Sequence, residues 1–448
     1  MSSKNHYILS LLALTTVSMS YLWEMPILSF ISLAIVLWMM YIESTVQDFY
    51  LLLSIAVPIN GYKLSGIGLS FVFLVISIIK LLATNTNHTK LNPIWTIMAY
   101  IVITCSLVHE ASYVSIGTTI NSVILILYFI ILLIYLPIQE LNIRYCTLLF
   151  VTSLLLTQLF AILVTGDLSA LGDDSEIYRL GHKSEDFESF DIFGGAMGFP
   201  VRTILLMCIS ISVFIGGYSR IFKLSLAGII VVLFIITFLT ISKVYLLGLI
   251  TFFVTIPFVT KSSQARLNIL GYMIIMVVLG YVLLPRLPLN VDNIVDAYIF
   301  RIGDSGDTEA LTTHRSLIYS DVIKYLGNNF PDVFWGAGKE AYPEIGRLEN
   351  LAFSMEAHNI VLDCIMAYGI IGLSLIIGLC HSIITRVREF DEEYQLTIVG
   401  ALPIICWFMM SQTNSAFSVF HTYLWLPFLV LFMIMNKEII DNSQETNE

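Results

Sequence analysis

The sequence predicts an all-α polytopic membrane protein with about 12–14 transmembrane helices and two large loops on the outer side. Three observations predict it. The 448-residue chain is 57% hydrophobic and only 12% charged, whereas soluble domains carry roughly a quarter charged residues. Apolar runs long enough to cross roughly 30 Å of hydrocarbon recur along nearly its whole length. Of the 33 Asp and Glu, 19 fall in two stretches, 165–200 and 286–357, that interrupt those runs.

The candidate spans lie near 7–23, 26–43, 46–60, 64–83, 94–109, 119–137, 146–164, 201–217, 223–241, 244–259, 267–285, 358–380, 395–412 and 417–436. The third is short and polar-flanked, so a re-entrant or interfacial piece also fits it. Lys4 precedes the first run as in a signal peptide, but no small-x-small cleavage site follows, and the run reads as a retained helix. The chain 1–448 is therefore expected to form a single integral membrane domain. Its six cysteines (Cys105, Cys146, Cys208, Cys364, Cys380, Cys406) sit in or at the ends of apolar runs, with no CxxC pair. That pattern argues against a disulfide framework and a zinc site. The net charge of −11 gives no reason to expect nucleic acid.

Lys and Arg of short loops set orientation. With the N-terminus inside, the inner side collects Lys4, Lys80, Lys90, Arg144, Arg220, Lys223, Lys261, Arg266, Arg386, Arg388 and Lys437. The short outer connections hold Lys63 and Lys243. Both long acidic loops are then outside.

The first six spans read as scaffold, with Ser, Thr and Asn where helices approach. His109 and Glu110, in a short outer loop, read as solvated loop residues. Loop 165–200 carries Arg179, His182 and Lys183 and ends in Gly194-Gly-Ala-Met-Gly198-Phe-Pro200, with Pro200 expected at the start of the next helix and Arg202 at the membrane edge. Asp186 and Glu188 superficially resemble a metal-holding pair, but among six other acids they read as a solvated acidic face. The tight turn Thr240-Ile-Ser-Lys243-Val-Tyr245 leaves two readings of Lys243: an anchor that snorkels to the interface, or a cation at the mouth of a cavity.

Loop 286–357 is too long for a bare connector. It contains Arg301 and a short amphipathic helix near 312–327, opened by Thr312-Thr313 with Arg315 in its first turn. Leu317, Ile318, Val322, Tyr325 and Leu326 give that helix an apolar stripe, Gly327 ends it, and it suits the membrane surface. Trp335-Gly-Ala-Gly338 then offers an aromatic platform and two positions where backbone N–H groups can approach an anion. His358-Asn359 opens span twelve, which holds Asp363, the one acid within an apolar run. Gly369 and Gly372, one turn apart, give it a small-residue face. For His358 and His421 a packing role and a functional one both stand.

Taken in order, Arg179, Ser242-Lys243, the loop with Arg301, Arg315 and Trp335-Gly-Ala-Gly338, and His358-Asn359 with Gly369 and Gly372 resemble the O-antigen polymerase and O-antigen ligase superfamily of bacterial envelope enzymes. The resemblance covers roughly 165–375. It implies a GT-C-type membrane glycosyltransferase that is metal-independent, needs no cofactor and inverts the anomeric centre. The donor would be an oligosaccharide on undecaprenyl diphosphate, at the periplasmic face of the bacterial inner membrane. A polymerase, the favoured form, extends another lipid-linked repeat unit and has a chain-length regulator protein as a further partner. A ligase transfers to lipid A-core. His358 would accept the proton of the attacking hydroxyl, and Arg179, Lys243, Arg301 and Arg315 would receive the charge of the departing diphosphate. Asn359 would orient the imidazole or a sugar hydroxyl. One departure is that many members carry Arg where this chain has Lys243, which makes a bidentate grip on phosphate a point-charge contact. A polysaccharide transporter or flippase is the rival class, though it calls for ionisable groups at mid-membrane, where only Asp363 qualifies.

Overall fold

The computed structural model describes residues 3–23, 25–42, 63–64, 67–68, parts of 75–83 and 101–116, 143–165, 171, 180, 182–185, 188–191, 195–215, 218–258, 263–286, 289–303, 315–338, 341–348, 359–394 and 402–412. These residues are mostly helical. Among them, three helical stretches are long and apolar enough to cross a membrane: Thr147–Thr165, Arg220–Phe238 and Arg266–Leu283. Pro26–Ile42, Gly198–Ile211, Lys243–Phe258 and Ile360–Leu375 are shorter apolar helices. The spans expected near 46–60, 119–137 and 417–436 lie outside the described residues, as does most of 94–109.

Helices α1 (Ser3–Trp23) and α2 (Pro26–Ile42) form a hairpin. Serines let the two backbones approach: Ser20 and Ser29 share a hydroxyl hydrogen bond of 2.6 Å, and Ser32 donates to the Ala13 carbonyl at 2.7 Å. Small hydroxyls are favoured there because they bring helices close while satisfying themselves. The run expected as a span at 64–83 opens instead in an antiparallel pair, β1 (Lys63–Leu64) with β2 (Ile67–Gly68). In the sequence only Ser65 and Gly66 separate the two strands. A two-residue connection with glycine favours a hairpin over a continuing helix, whatever the apolar content that follows.

Helix α3 (Ile143–Thr165) precedes a second antiparallel hairpin, β3 (His182–Glu185) with β4 (Glu188–Asp191), inside loop 165–200. Of the acidic pair singled out in this loop, Glu188 opens β4, and Asp186 lies outside the described residues. Helix α4 (Gly195–Ile215) starts earlier than expected, so Pro200 lies inside it and Arg202 is buried at 2% exposure instead of at an edge. The Phe199 ring lies 5.9 Å from the Arg202 guanidinium, and Gly198 leaves room for it.

Helices α5 (Arg220–Phe238), α6 (Lys243–Thr255) and α7 (Ser263–Leu283) follow. A buried polar knot ties α3, α4 and α5: Gln158 donates to the Thr237 hydroxyl at 2.9 Å, which shares a 2.7 Å bond with Thr203. In a dry interior such a knot fixes register, because any slip strands its polar atoms.

The described residues of the long acidic stretch are mostly helical. They form α8 (Val291–Gly303), α9 (Arg315–Asn328), α10 (Phe330–Trp335) and α11 (Ala341–Leu348). Gly327 does not end α9; the helix runs one residue further, and Pro331 opens α10 at its first turn, where a missing N–H costs nothing. Helix α12 (Ile360–Tyr394) has 35 residues but breaks at Gly369, where φ is 67° and ψ −174°. Helix α13 (Leu402–Met410) is the last described helix and packs on α4 and α6.

Candidate functional site

The α5–α6 turn gathers three segments. The carbonyls at the end of α5 are taken from outside: Leu180 donates its N–H to Leu239 at 3.0 Å, and the Tyr298 hydroxyl donates to Phe238 at 2.9 Å. Tyr298 also stacks on the Phe238 ring at 4.7 Å between centroids. Leu180 follows Arg179, which itself lies outside the described residues. Tyr298 lies one helical turn before Arg301, in the last turn of α8. The end of α5 therefore holds Leu180, the residue after Arg179, and Tyr298, three residues before Arg301.

Lys243 is the first residue of α6. The positive dipole end of a helix adds to its charge there, which disfavours the helix unless an anion is near. Two residues before, Ile241 is held at φ 46°, a left-handed conformation costly for a β-branched residue. It is fully buried, so packing enforces it. Both readings of Lys243, an interfacial anchor and a cation at the mouth of a cavity, stand beside this strained residue.

The start of α12 is locked by its own cap. The Asn359 side-chain oxygen accepts from the N–H groups of Val361 at 3.0 Å and Leu362 at 3.2 Å. Asp363 accepts the Asn359 N–H at 3.1 Å in return. This is a capping box with its acid one position late, and it accounts for the acid in an apolar run. The Asn359 amide also donates to Gln412 at 3.2 Å, and the Ile360 N–H donates to Ser411 at 3.0 Å. Asn359 is thus spent on capping α12 and tying its start to Gln412; His358 lies outside the described residues. Gln412 follows α13, whose last residue Met410 presses on Gly248 of α6; a β-carbon there would lie 2.7 Å from the Met410 sulfur. Helices α6 and α12 are thus both held at the end of α13, the first through Gly248 and the second through Asn359.

Segment 336–338 closes the break in α12. A helix interrupted at Gly369 leaves the carbonyls before it without partners. The Ala337 N–H donates to Met366 at 2.7 Å and the Gly338 N–H to Ala367 at 3.0 Å, while the Gly336 N–H donates to Asp332 at 2.8 Å. All three N–H groups are used within the fold. The expectation that they cradle an anion is therefore corrected: glycine is needed because Gly336 and Gly338 take φ of 76° and 100° against a neighbouring backbone and Glu110. Val322, Tyr325 and Leu326 of α9 pack with Ala337, Ala341, Ile345 and Met366, so the apolar stripe faces protein instead of lipid. Leu317 stays exposed. Arg315 opens α9, before the part that packs on α12.

Residues 109–113, read as solvated loop, are also built into this body. Glu110 is fully buried. The His109 Nδ1 lies 2.9 Å from the Gly336 carbonyl and 3.4 Å from Asp332 Oδ1, and the other Asp332 oxygen accepts from the Tyr325 hydroxyl at 2.6 Å. Gly336 is 227 positions from His109 in sequence, which is why no local pattern marks the pair. Buried Arg202, two residues before the Ile204 side chain that also meets Gly248, was likewise expected elsewhere.

Among the described residues no group of three or more His, Cys, Asp or Glu is placed to hold a metal. No protein-family model matches the chain, and no curated protein matches it.

Proposed function

We propose that the chain is a polytopic, GT-C-type glycosyltransferase of a bacterial inner membrane that polymerises undecaprenyl-diphosphate-linked repeat units at the periplasmic face. What supports the reading is that Leu180 and Tyr298 are bound to the end of α5, four and five residues before Lys243, while α6 at Gly248 and Asn359 both meet the end of α13. A diphosphate leaving group develops about two negative charges, and preorganised cations are what such a departure requires. Arg315 at the start of α9 adds to the supply. His358, which precedes the capped start of α12 in the sequence, takes the proton of the attacking hydroxyl as the anomeric bond to diphosphate breaks.

O-antigen ligation to lipid A-core is the second reading, since both reactions share the donor and the leaving group. The acidic outer loops, fitted to one particular glycan, favour the polymerase. The glycolipid profile of a deletion strain tests both. Core bearing a single repeat unit indicates a lost polymerase; bare core with accumulated lipid-linked polymer indicates a lost ligase; an unchanged profile rejects glycosyl transfer to either.

A further inference from the structure

We infer that His109, with Asp332 and Tyr325 behind it, forms a saccharide-binding subsite beside the first turns of α12. The inference rests on the glycosyl-transfer reading and adds to it the sugar residues that do not react. A carbonyl oxygen only accepts, so the Nδ1 facing Gly336 at 2.9 Å carries the proton. In the neutral imidazole the lone pair is then on Nε2, on a side chain 31% exposed. Asp332 Oδ1, at 3.4 Å, holds that tautomer, and the Tyr325 hydroxyl holds the carboxylate. Three elements far apart in the chain are thus spent on presenting one acceptor nitrogen.

An acceptor nitrogen backed by a buried carboxylate, with Glu110 adjacent, disfavours phosphate and other anions. It pairs with a neutral hydroxyl donor. Tyr113, 38% exposed, lies against the imidazole with 5.8 Å between ring centroids. Trp335, 42% exposed, precedes the glycine that His109 grips. Partly exposed rings beside a hydroxyl acceptor match the two-sided chemistry of a sugar, whose C–H face packs on an aromatic face while its hydroxyls hydrogen-bond. The carbonyls that anchor segment 336–338 belong to Met366 and Ala367, seven and eight residues past Asn359. At about 1.5 Å per residue this is roughly 10 Å from the helix start, a separation suited to sugars flanking the reacting one.

The test measures chain extension by membranes containing the full-length protein, with lipid-linked repeat units extracted from a strain lacking it as the probe. H109N keeps an amide N–H at the Nδ1 position, and so keeps the bond to Gly336, but has no atom at Nε2. The expected result is a rise in apparent KM of about threefold to tenfold, the size of one hydrogen bond, with kcat within about twofold. H109A should show the same KM change plus a loss of thermal stability. Wild-type kinetics in H109N would overturn the inference and leave His109 a packing residue, even with H109A impaired. A fall in kcat at unchanged KM would also overturn it. If wild-type membranes extend no repeat units at all, the polymerase reading fails and the subsite proposed for it goes with it.

Discussion

A β-carbon on Gly369 would lie 2.0 Å from the carbonyl oxygen of Phe334. The break in α12 and the end of α10 are therefore one feature: the helix yields so that a loop can close against it. At φ 67° and ψ −174° the residue also occupies a region essentially restricted to glycine. G369A combines backbone strain with a backbone clash, and we expect a loss of about 3 kcal/mol or more. Limited proteolysis should then cut within 330–348 under conditions that leave the wild type intact, and an uncut variant would show that the break is not needed for docking.

Lys243 sits where a positive charge is unfavourable to its own helix. K243A should leave membrane insertion intact while lowering chain extension about a hundredfold, the usual scale for one preorganised donor to a developing anion. K243R should stay within about tenfold of wild type. Equal loss in both variants would favour a packing role for the lysine stem.

His358 carries the chemistry in the proposed reaction, so H358A should abolish chain extension while the protein still reaches the membrane in normal amount. Immunoblotting of membranes beside the glycolipid profile separates the two outcomes. Normal polymer would remove His358 from the mechanism.

The cap at Asn359 gives a graded test of how that histidine is placed. N359A should cost about 1 kcal/mol of stability, as loss of an N-cap usually does, and should lower chain extension. N359D restores the cap but not the donor to Gln412, and should recover stability more than activity. Thermal unfolding in detergent and polymer length in cells report the two effects.

On α11 the pH response has a fixed sign. Two hydrogen bonds from Arg347, one of them 3.0 Å from its Nε, hold the Glu344 carboxyl below its ordinary value of 4.5. Support from this pair is fully present above pH 4.5 and fades as pH falls through the lowered value. Amide exchange in residues 341–348, corrected for its intrinsic pH dependence, should be unchanged from pH 7 to 5. It should be faster in E344Q than in wild type across that range, by a small factor because the pair is exposed.

Much of the scaffold was legible in the sequence because apolar run length is a local property. Helices α1 to α7 lie close to the runs that announce them, and α9 follows the stripe of Val322, Tyr325 and Leu326. The errors came where a local signal had a distant cause. Gly336-Ala-Gly338 looked like an anion cradle because glycine spacing says only that backbone is close to something, not to what. Pro200 and Arg202 looked like a boundary because nothing in the preceding glycines shows that α4 has already begun.

Alone, the sequence makes legible a helical, strongly apolar chain with 19 of its 33 acids in two stretches, since hydrophobic transfer acts on each segment in turn. Which donors and acceptors meet is a matter of tertiary structure. The capture of Leu239 by Leu180, of Phe238 by Tyr298, of Gly336 by His109 and of Gln412 by Asn359 are pairings between acceptors and donors remote in the chain, and only the packed backbone leaves those groups in need of one another.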